Sequence, residues 1–390
     1  MKDTSLYTIK EVPPSYFSSL VVNNEGPKES LQTNICEVLL NARAFPLHYA
    51  YECFAHLYLE HTLSPNSLYS QFTHQQNHIL WNSYNQLRPY VNPTVIEIGC
   101  ANGYKTWKLM HSWYSIFSMQ QHSSNTNIQR EIFQTISSAW AGTATNTLGS
   151  GTKPQFIENY FGLDYSSRMI ALATSNILEL EFIPYKYLGN ENIFGWSFQQ
   201  MLQSVGAKTY MLLGLTLANM TGLTPDKVTT RTKFLDNLYA QMNSGDTVLL
   251  DLPTHPDTYD NTYRNFINKV YQTEQATEFD LQTMESLWFN RNQIIRRVKP
   301  INEGLWQCIE LELQSRQTVV VNDYILKFPK KTVFSVVKSE RFSHAQAKVE
   351  LLEGRPQWRI AEQIIINSPT IKDFDSNPIE LITCYLLQKT

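Results

Sequence analysis

The chain has no excess of either charge, no cysteine framework and no long apolar run, and each absence removes a class of function. Thirty-two basic side chains stand against 35 acidic ones, for a formal net charge of -3. No Lys/Arg run exceeds a few residues, so nucleic acid is not an expected partner. The five cysteines, Cys36, Cys53, Cys100, Cys308 and Cys384, are scattered and odd in number. They read as reduced thiols and show no zinc spacing. His74 and His78 lie one helical turn apart, but with no third ligand nearby they read as a solvated helix face, and no metal is expected. Nowhere do about 18 apolar residues run together, and Met1–Ser5 leads into nothing resembling a signal peptide. A cytoplasmic protein without a membrane partner is the expectation.

A 42% hydrophobic fraction over 390 residues suits two globular domains, or one large core with a substantial elaboration. Residues 1–30 are polar and carry Pro13-Pro14, so they read as an irregular arm. From Leu31 to about Leu87 the pattern is helical, with Tyr49, Tyr51, Phe54, Tyr58, Tyr69 and Phe72 spaced loosely at three and four. A strand follows at Val95–Ile98 and a helix from Lys105. Residues 118–155 are rich in Ser, Thr, Asn, Gln and Gly and read as a surface excursion or lid. Tyr160-Phe161-Gly162-Leu163 is a second apolar run that ends in Asp164, with a helix from Ser167. Phe182–Tyr187 makes a poor strand because Pro184 opposes it, whereas Thr209–Gly214 and Thr247–Leu252 are strong ones. This alternation predicts a doubly wound parallel α/β sheet. Residues 254–341 break the rhythm, with helices at Tyr263–Glu274 and Asp280–Trp288 and two long strands, Trp306–Leu313 and Thr318–Phe328, of antiparallel character.

The most informative stretch is Val95-Ile96-Glu97-Ile98-Gly99-Cys100-Ala101-Asn102-Gly103-Tyr104-Lys105-Thr106. A strand runs into a small-residue turn and then a helix, which lets the backbone approach a ligand closely. Dinucleotide sites need G-x-G-x-x-G with an acid about 20 residues on. Here Gly99-x-Ala101-x-Gly103 lacks the last glycine, and the next strand-end acid is Asp164. S-adenosylmethionine carries no phosphate, and Glu97-Ile98-Gly99-Cys100-Ala101 with Asp164 fits the E-x-G-x-G form that serves it. Two plainer roles stand beside this one: the turn can simply pack a strand against a helix, and Asp164 can cap the helix near Ser167.

Five segments in order resemble the histidine Nα-methyltransferase of ergothioneine biosynthesis and its amino-acid N-methyltransferase relatives. Phe45-Pro46-Leu47-His48-Tyr49-Ala50-Tyr51-Glu52 is similar to the family's LPPKxFYD, and Gly99 to Thr106 to its G-S-G-x-x-x-K-T. Tyr160 to Ser166 resembles Y-x-P-x-D-x-S, Leu213-Gly214-Leu215-Thr216-Leu217-Ala218-Asn219 resembles L-G-S-T-I-G-N, and Asp251-Leu252 matches the D-L that closes the next strand. Tyr263 falls at the tyrosine of A-Y-D-D. The resemblance implies a Rossmann-like class I methyltransferase core at 74–253 and 342–390, with 118–155 inserted. A second α+β substrate-binding domain would lie at 31–73 and 254–341. It also implies a donor pocket of Tyr51, Gly99, Ala101, Gly103, Lys105, Asp164 and Asn190, with S-adenosyl-L-methionine as methyl donor. An ammonium and a phenol suit the donor's carboxylate, and the Asp suits both ribose hydroxyls.

Asn219 and Tyr263 would position the acceptor, with Tyr69, Leu311, Val337 and Ser339 beside it. The departures concern that acceptor. Where the family has T-E-x-S-x-K-F, this chain has Val336-Val337-Lys338-Ser339-Glu340-Arg341-Phe342, so the imidazole-binding Glu becomes Val337. A valine accepts no N–H, and a site missing a buried acceptor binds histidine poorly. The expected reaction is therefore N-methylation of an amino acid or small amine other than histidine, with no obligate protein partner. The alternatives are a peptide or alkaloid-like amine as acceptor, or a non-catalytic scaffold that keeps the fold.

Overall fold

The computed structural model describes residues 19–23, 35, 39–40, 45, 47–63, 68–123, 156–191, 193–194, 196–203, 205–220, 230–255, 265, 268, 271–301, 306–321, 324–372 and 378–390. In chain order the elements are β1 (Ser19–Asn23), α1 (Leu47–Leu63), α2 (Leu68–Asn82), β2 (Thr94–Ile98), α3 (Tyr104–Ser123), β3 (Asn159–Leu163), α4 (Ser167–Leu178), β4 (Tyr185–Gly189), β5 (Lys208–Leu212), α5 (Thr230–Gln241) and β6 (Thr247–Leu252). There follow α6 (Glu274–Ser286), β7 (Ile294–Ile301), β8 (Trp306–Leu313), β9 (Gln317–Val321), β10 (Tyr324–Phe328), β11 (Val333–Ser339), α7 (His344–Leu352), β12 (Trp358–Lys372) and β13 (Pro378–Lys389).

Eight strands form one sheet in the order β1-β4-β3-β2-β5-β6-β13-β12. Its first five pairings are parallel, and β13 runs antiparallel to both β6 and β12. This is the expected doubly wound sheet, with β13 as its single reversed strand. Consecutive residues face opposite sides, as the pleat requires. Val95, Tyr160, Leu188, Met211 and Leu249 build the core on one side, whereas Ile96, Phe161, Tyr187, Tyr210 and Val248 build the other. A separate core joins α1 and α6 to the three-stranded sheet β11-β8-β7.

Several expectations shift. The arm is not wholly irregular, because Ser19–Asn23 adds an edge strand alongside β4. Pro184 does not prevent a strand, since β4 begins at the next residue and Tyr185 N–H bonds the Glu158 carbonyl at 3.1 Å. A proline just outside a ladder removes no ladder bond. The long strand expected at Thr318–Phe328 is a hairpin, with Val320 paired to Ile325. The second helix starts at Glu274 rather than Asp280 because the Thr273 hydroxyl accepts the Ala276 N–H at 3.2 Å. Most of the helix expected at Tyr263–Glu274, and all of the polar insertion beyond Ser123 up to residue 155, lie outside the described residues. No described helix is long and apolar enough to cross a membrane, and no metal-holding group of His, Cys, Asp or Glu occurs among the described residues.

Candidate functional site

The turn after β2 is built from three residues of positive φ: Gly99 (77°), Ala101 (49°) and Gly103 (70°). Two are glycines, which adopt this region freely, but Ala101 bears a Cβ there and is strained. Gly99 and Cys100 N–H both donate to the Leu163 carbonyl, at 2.8 and 3.1 Å, tying the turn to the end of β3. A Cβ on Gly99 would stand 3.2 Å from Thr216 Oγ1, and one on Gly103 would stand 3.1 Å from Ile177 Cγ1 and 3.3 Å from Ala173 Cβ. Gly103, expected beside the donor, thus serves to seat the turn against α4. The packing role holds for that residue.

Asp164 has a different task from the helix cap considered for it. Ser166 caps α4, its hydroxyl accepting the Met169 N–H at 3.1 Å. Asp164 Oδ2 accepts the Ala101 N–H and Oδ1 the Ser166 N–H, each at 2.9 Å. Burial pushes its carboxyl up to about 6, against these backbone bonds that hold it down. The carboxylate therefore spans the glycine turn and the start of α4. Asn190, at the end of β4, donates Nδ2–H to the Tyr165 carbonyl at 2.6 Å, so its Oδ1 is left as an acceptor beside the Asp164 loop.

Lys105 is the second residue of α3. Its Nζ lies 3.9 Å from Asp251 Oδ2, and burial lowers its pKa while Asp251 opposes that shift. Asp251 is fully buried, and its carboxylate also accepts Gln76 Nε2–H (2.6 Å), Gly214 N–H (2.6 Å) and Leu215 N–H (2.9 Å). The strand-end acid of β6 thus shapes the Gly214-Leu215 turn, where both residues have positive φ. Thr106 points the other way and donates to buried Glu97, which also accepts the Tyr160 hydroxyl at 2.6 Å. Glu97 is accordingly an internal brace between β2, β3 and α3, its carboxyl raised by burial.

Tyr51 brings α1 to this edge. It packs edge-on to Tyr58 with centroids 4.9 Å apart and tilted against Phe279 at 5.8 Å. Burial raises its phenol pKa, and the charges of Tyr58, Asp164 and Asp280 raise it further. The next residue, Glu52, accepts Ser166 Oγ–H (2.6 Å), Ser167 Oγ–H and Arg168 N–H (3.0 Å). Helix α1 is thereby locked to the N-terminus of α4, and it kinks at Phe54 just beyond.

The structure brings Tyr51, Gly99, Ala101, Lys105, Asp164 and Asn190 to one edge of the sheet. Leu311 is fully buried in the core that joins α1 and α6 to the three-stranded sheet. Tyr69 lies on α2, Asn219 closes a short turn at Leu217–Asn219, and Val337 and Ser339 lie on β11 opposite Ile309 and Gln307. The side chains of these four, and all of Tyr263, lie outside the described residues. Glu52 and the clamping role of Asp251, which the sequence marks only as a strand-closing acid, stand outside the expected site residues. Glu52 had a signal, adjacency to Tyr51 in the family-like segment, whereas nothing local in the sequence marks Asp251 as a turn organiser.

No protein-family profile matches the sequence, and no curated protein matches it. The fold is similar to an S-adenosylmethionine-dependent methyltransferase from Anabaena variabilis, at 11% identity and TM-score 0.41, over 88% of this chain and 95% of that one. It is also similar to the glycopeptide N-methyltransferase MtfA bound to S-adenosyl-L-methionine, at 9% identity and TM-score 0.35, over 84% of this chain and 99% of that one. The pyocyanin biosynthetic protein PhzM shares 11% identity at TM-score 0.39, over 93% of this chain and 69% of its own. These likenesses assign no residue of this chain a role.

Proposed function

We propose that the chain is an S-adenosylmethionine-dependent N-methyltransferase acting on the amino group of an amino acid or related small amine other than histidine. The observation that supports this best is the Asp164 clamp. A carboxylate offers about four lone-pair sites, and the Ala101 and Ser166 N–H groups take one on each oxygen while the Tyr165 N–H adds a weaker pull, so acceptor capacity is left for ribose hydroxyls. Asn190 Oδ1 suits the exocyclic amine of an adenine beside that ribose. Lys105, standing at the Gly214 turn and only loosely paired with Asp251, suits the donor's carboxylate.

When bound, S-adenosylmethionine supplies an electrophilic methyl on a sulfonium. The chain's own work is to hold the acceptor in line and dry. An amine placed roughly 3 Å from the methyl in a desolvated site needs no dedicated base, because burial lowers its pKa. Asn219 and Tyr263 take the role of positioning it, with Tyr69, Val337 and Ser339 around it and Leu311 shaping the floor from beneath. The division of labour follows: 74–253 with 342–390 for the donor, 31–73 with 254–341 for the acceptor.

Calorimetric titration of S-adenosylhomocysteine into wild type and Asp164→Ala tests the donor site. Binding by the first and its loss in the second are expected, and equal affinity refutes the assignment. Labelled donor incubated with a panel of amino acids and amines then identifies the acceptor, and no label transfer to any member refutes the N-methylation of this class.

A further inference from the structure

A buried charge pair that the donor site does not use joins α6 to β7. Arg296, on β7, donates Nε–H to Asp280 Oδ2 on α6 at 2.7 Å. Their side chains retain only 7% and 5% of their surface, yet Arg296 Nη2 is buried with no hydrogen-bond partner. A guanidinium N–H left unmade in the interior is costly, because it has given up water without gaining a partner. Since the salt bridge takes Oδ2, Oδ1 of Asp280 is the oxygen with capacity to accept. Donor and acceptor capacity thus sit side by side on one neutral pair. The surroundings are aromatic: Phe279 precedes Asp280 in sequence and lies 5.8 Å from Tyr51 and 6.1 Å from Tyr58. Cross-strand neighbours share a sheet face, so Arg296 stands on the face that Leu311 and Phe334 bury.

We propose, on the premise that the chain methylates a small amine, that the Asp280–Arg296 pair reads the far end of the acceptor, which is an aromatic amine or amino acid bearing a ring hydroxyl. The phenolic O–H donates to Asp280 Oδ1, its oxygen accepts from Arg296 Nη2, and the ring packs against Tyr51, Tyr58 and Phe279. A carboxylate in place of the phenol would satisfy Arg296 but meet the Asp280 charge. A bare ring would leave Nη2 unmade. Burial raises the Asp280 carboxyl to about 6 in spite of Arg296, which shows how little solvent the pair sees and how strongly an added hydrogen bond there counts.

The test compares two matched pairs, L-tyrosine against L-phenylalanine and tyramine against phenethylamine, titrated into the full chain with and without saturating S-adenosylhomocysteine. In wild type the hydroxylated member of at least one pair should bind about tenfold tighter or more, the discrimination of a site built to bond a hydroxyl. Asp280→Asn should erode that preference. Because a buried ion pair broken on one side can unfold a protein, the companion variant is Asp280→Leu/Arg296→Met, whose similar apolar volume keeps such sites folded. It should retain S-adenosylhomocysteine affinity and lose the hydroxyl preference. A wild type without hydroxyl preference, or a double variant that keeps it, overturns the assignment. Failure of S-adenosylhomocysteine to bind wild type overturns the donor site instead, and the ligand pairs measured without it still decide the role of Asp280 and Arg296.

Discussion

The sharpest consequence of the Asp164 clamp is a pH dependence of donor binding. Ribose hydroxyls donate, so only the ionised carboxylate serves both of them while it also holds the Ala101 and Ser166 N–H groups. Burial raises this carboxyl from 3.8 to about 6. The sign follows: the binding-competent form accumulates as pH rises through about 6 and is lost as pH falls. At about pH 5 roughly one-tenth of the protein is ionised at this site, against nearly all of it at about pH 8, so apparent affinity should fall about tenfold, or about 1.4 kcal/mol. A carboxyl at its ordinary value would give a flat profile over the same range. S-adenosylhomocysteine titrated calorimetrically at half-unit pH steps reads the curve directly. Asp164→Asn should bind at least tenfold more weakly than wild type at high pH, because an amide accepts through one atom only, and should lose the slope. A flat wild-type profile, or an unchanged slope in the Asn variant, refutes the reasoning.

Other expectations follow from particular contacts. Ala101→Gly should stabilise the fold by about 0.5–1 kcal/mol, the relief of a left-handed Cβ less the extra entropy of glycine in the unfolded chain, whereas Ala347→Gly within α7 should cost about 1 kcal/mol. Urea midpoints of the two variants moving in the same direction would contradict the strain at Ala101. Gly103→Ala should lower the thermal midpoint sharply, since it combines φ of 70° with a Cβ 3.1 Å from Ile177, and a stability equal to wild type would show that the turn is not seated on α4. Glu52→Ala leaves two hydroxyls and one N–H at the start of α4 without their acceptor, so about 1–3 kcal/mol of stability should go, and donor affinity should weaken with it through the Asp164–Ser166 bond. Burial alone would raise the Glu52 carboxyl, but its bonds from Ser166, Ser167 and Arg168 leave it below the usual value. Its contribution is therefore present above the unfolded pKa and fades as pH falls through the lower folded one. Glu52→Ala should show a smaller stability loss on acidification than wild type in denaturation at paired pH values.

Much of the parallel sheet was legible because its strands are short apolar runs, buried on both faces, that end in glycine or acid: β2, β5 and β6 lie within two residues of their expected bounds. The elements that escaped are those whose identity depends on neighbours. β1 is five residues long and gains its bonds from β4 on one side only. Hairpin β9-β10 carries one continuous alternating pattern that only its antiparallel pairing, Val321 with Tyr324, divides. Within the site, the positive φ of Gly99 and Gly103 and the carboxylate at the tip of β3 could be anticipated from small residues and strand-end position.

The sequence by itself determined that a strand, a close turn and a following strand-end acid stand at a sheet edge, because turn conformation and strand period are properties of consecutive residues. Only the tertiary structure decided what each of those residues touches. It set Lys105 against Asp251, Glu52 against Ser166, and Asp280 against Arg296. Those pairings join residues on different elements, and their partners depend on which faces the packing of α1, α4 and α6 brings together. Burial then does what no local pattern encodes: it removes water from Asp164 and Asp280, raises both carboxyls, and makes each remaining hydrogen bond decisive.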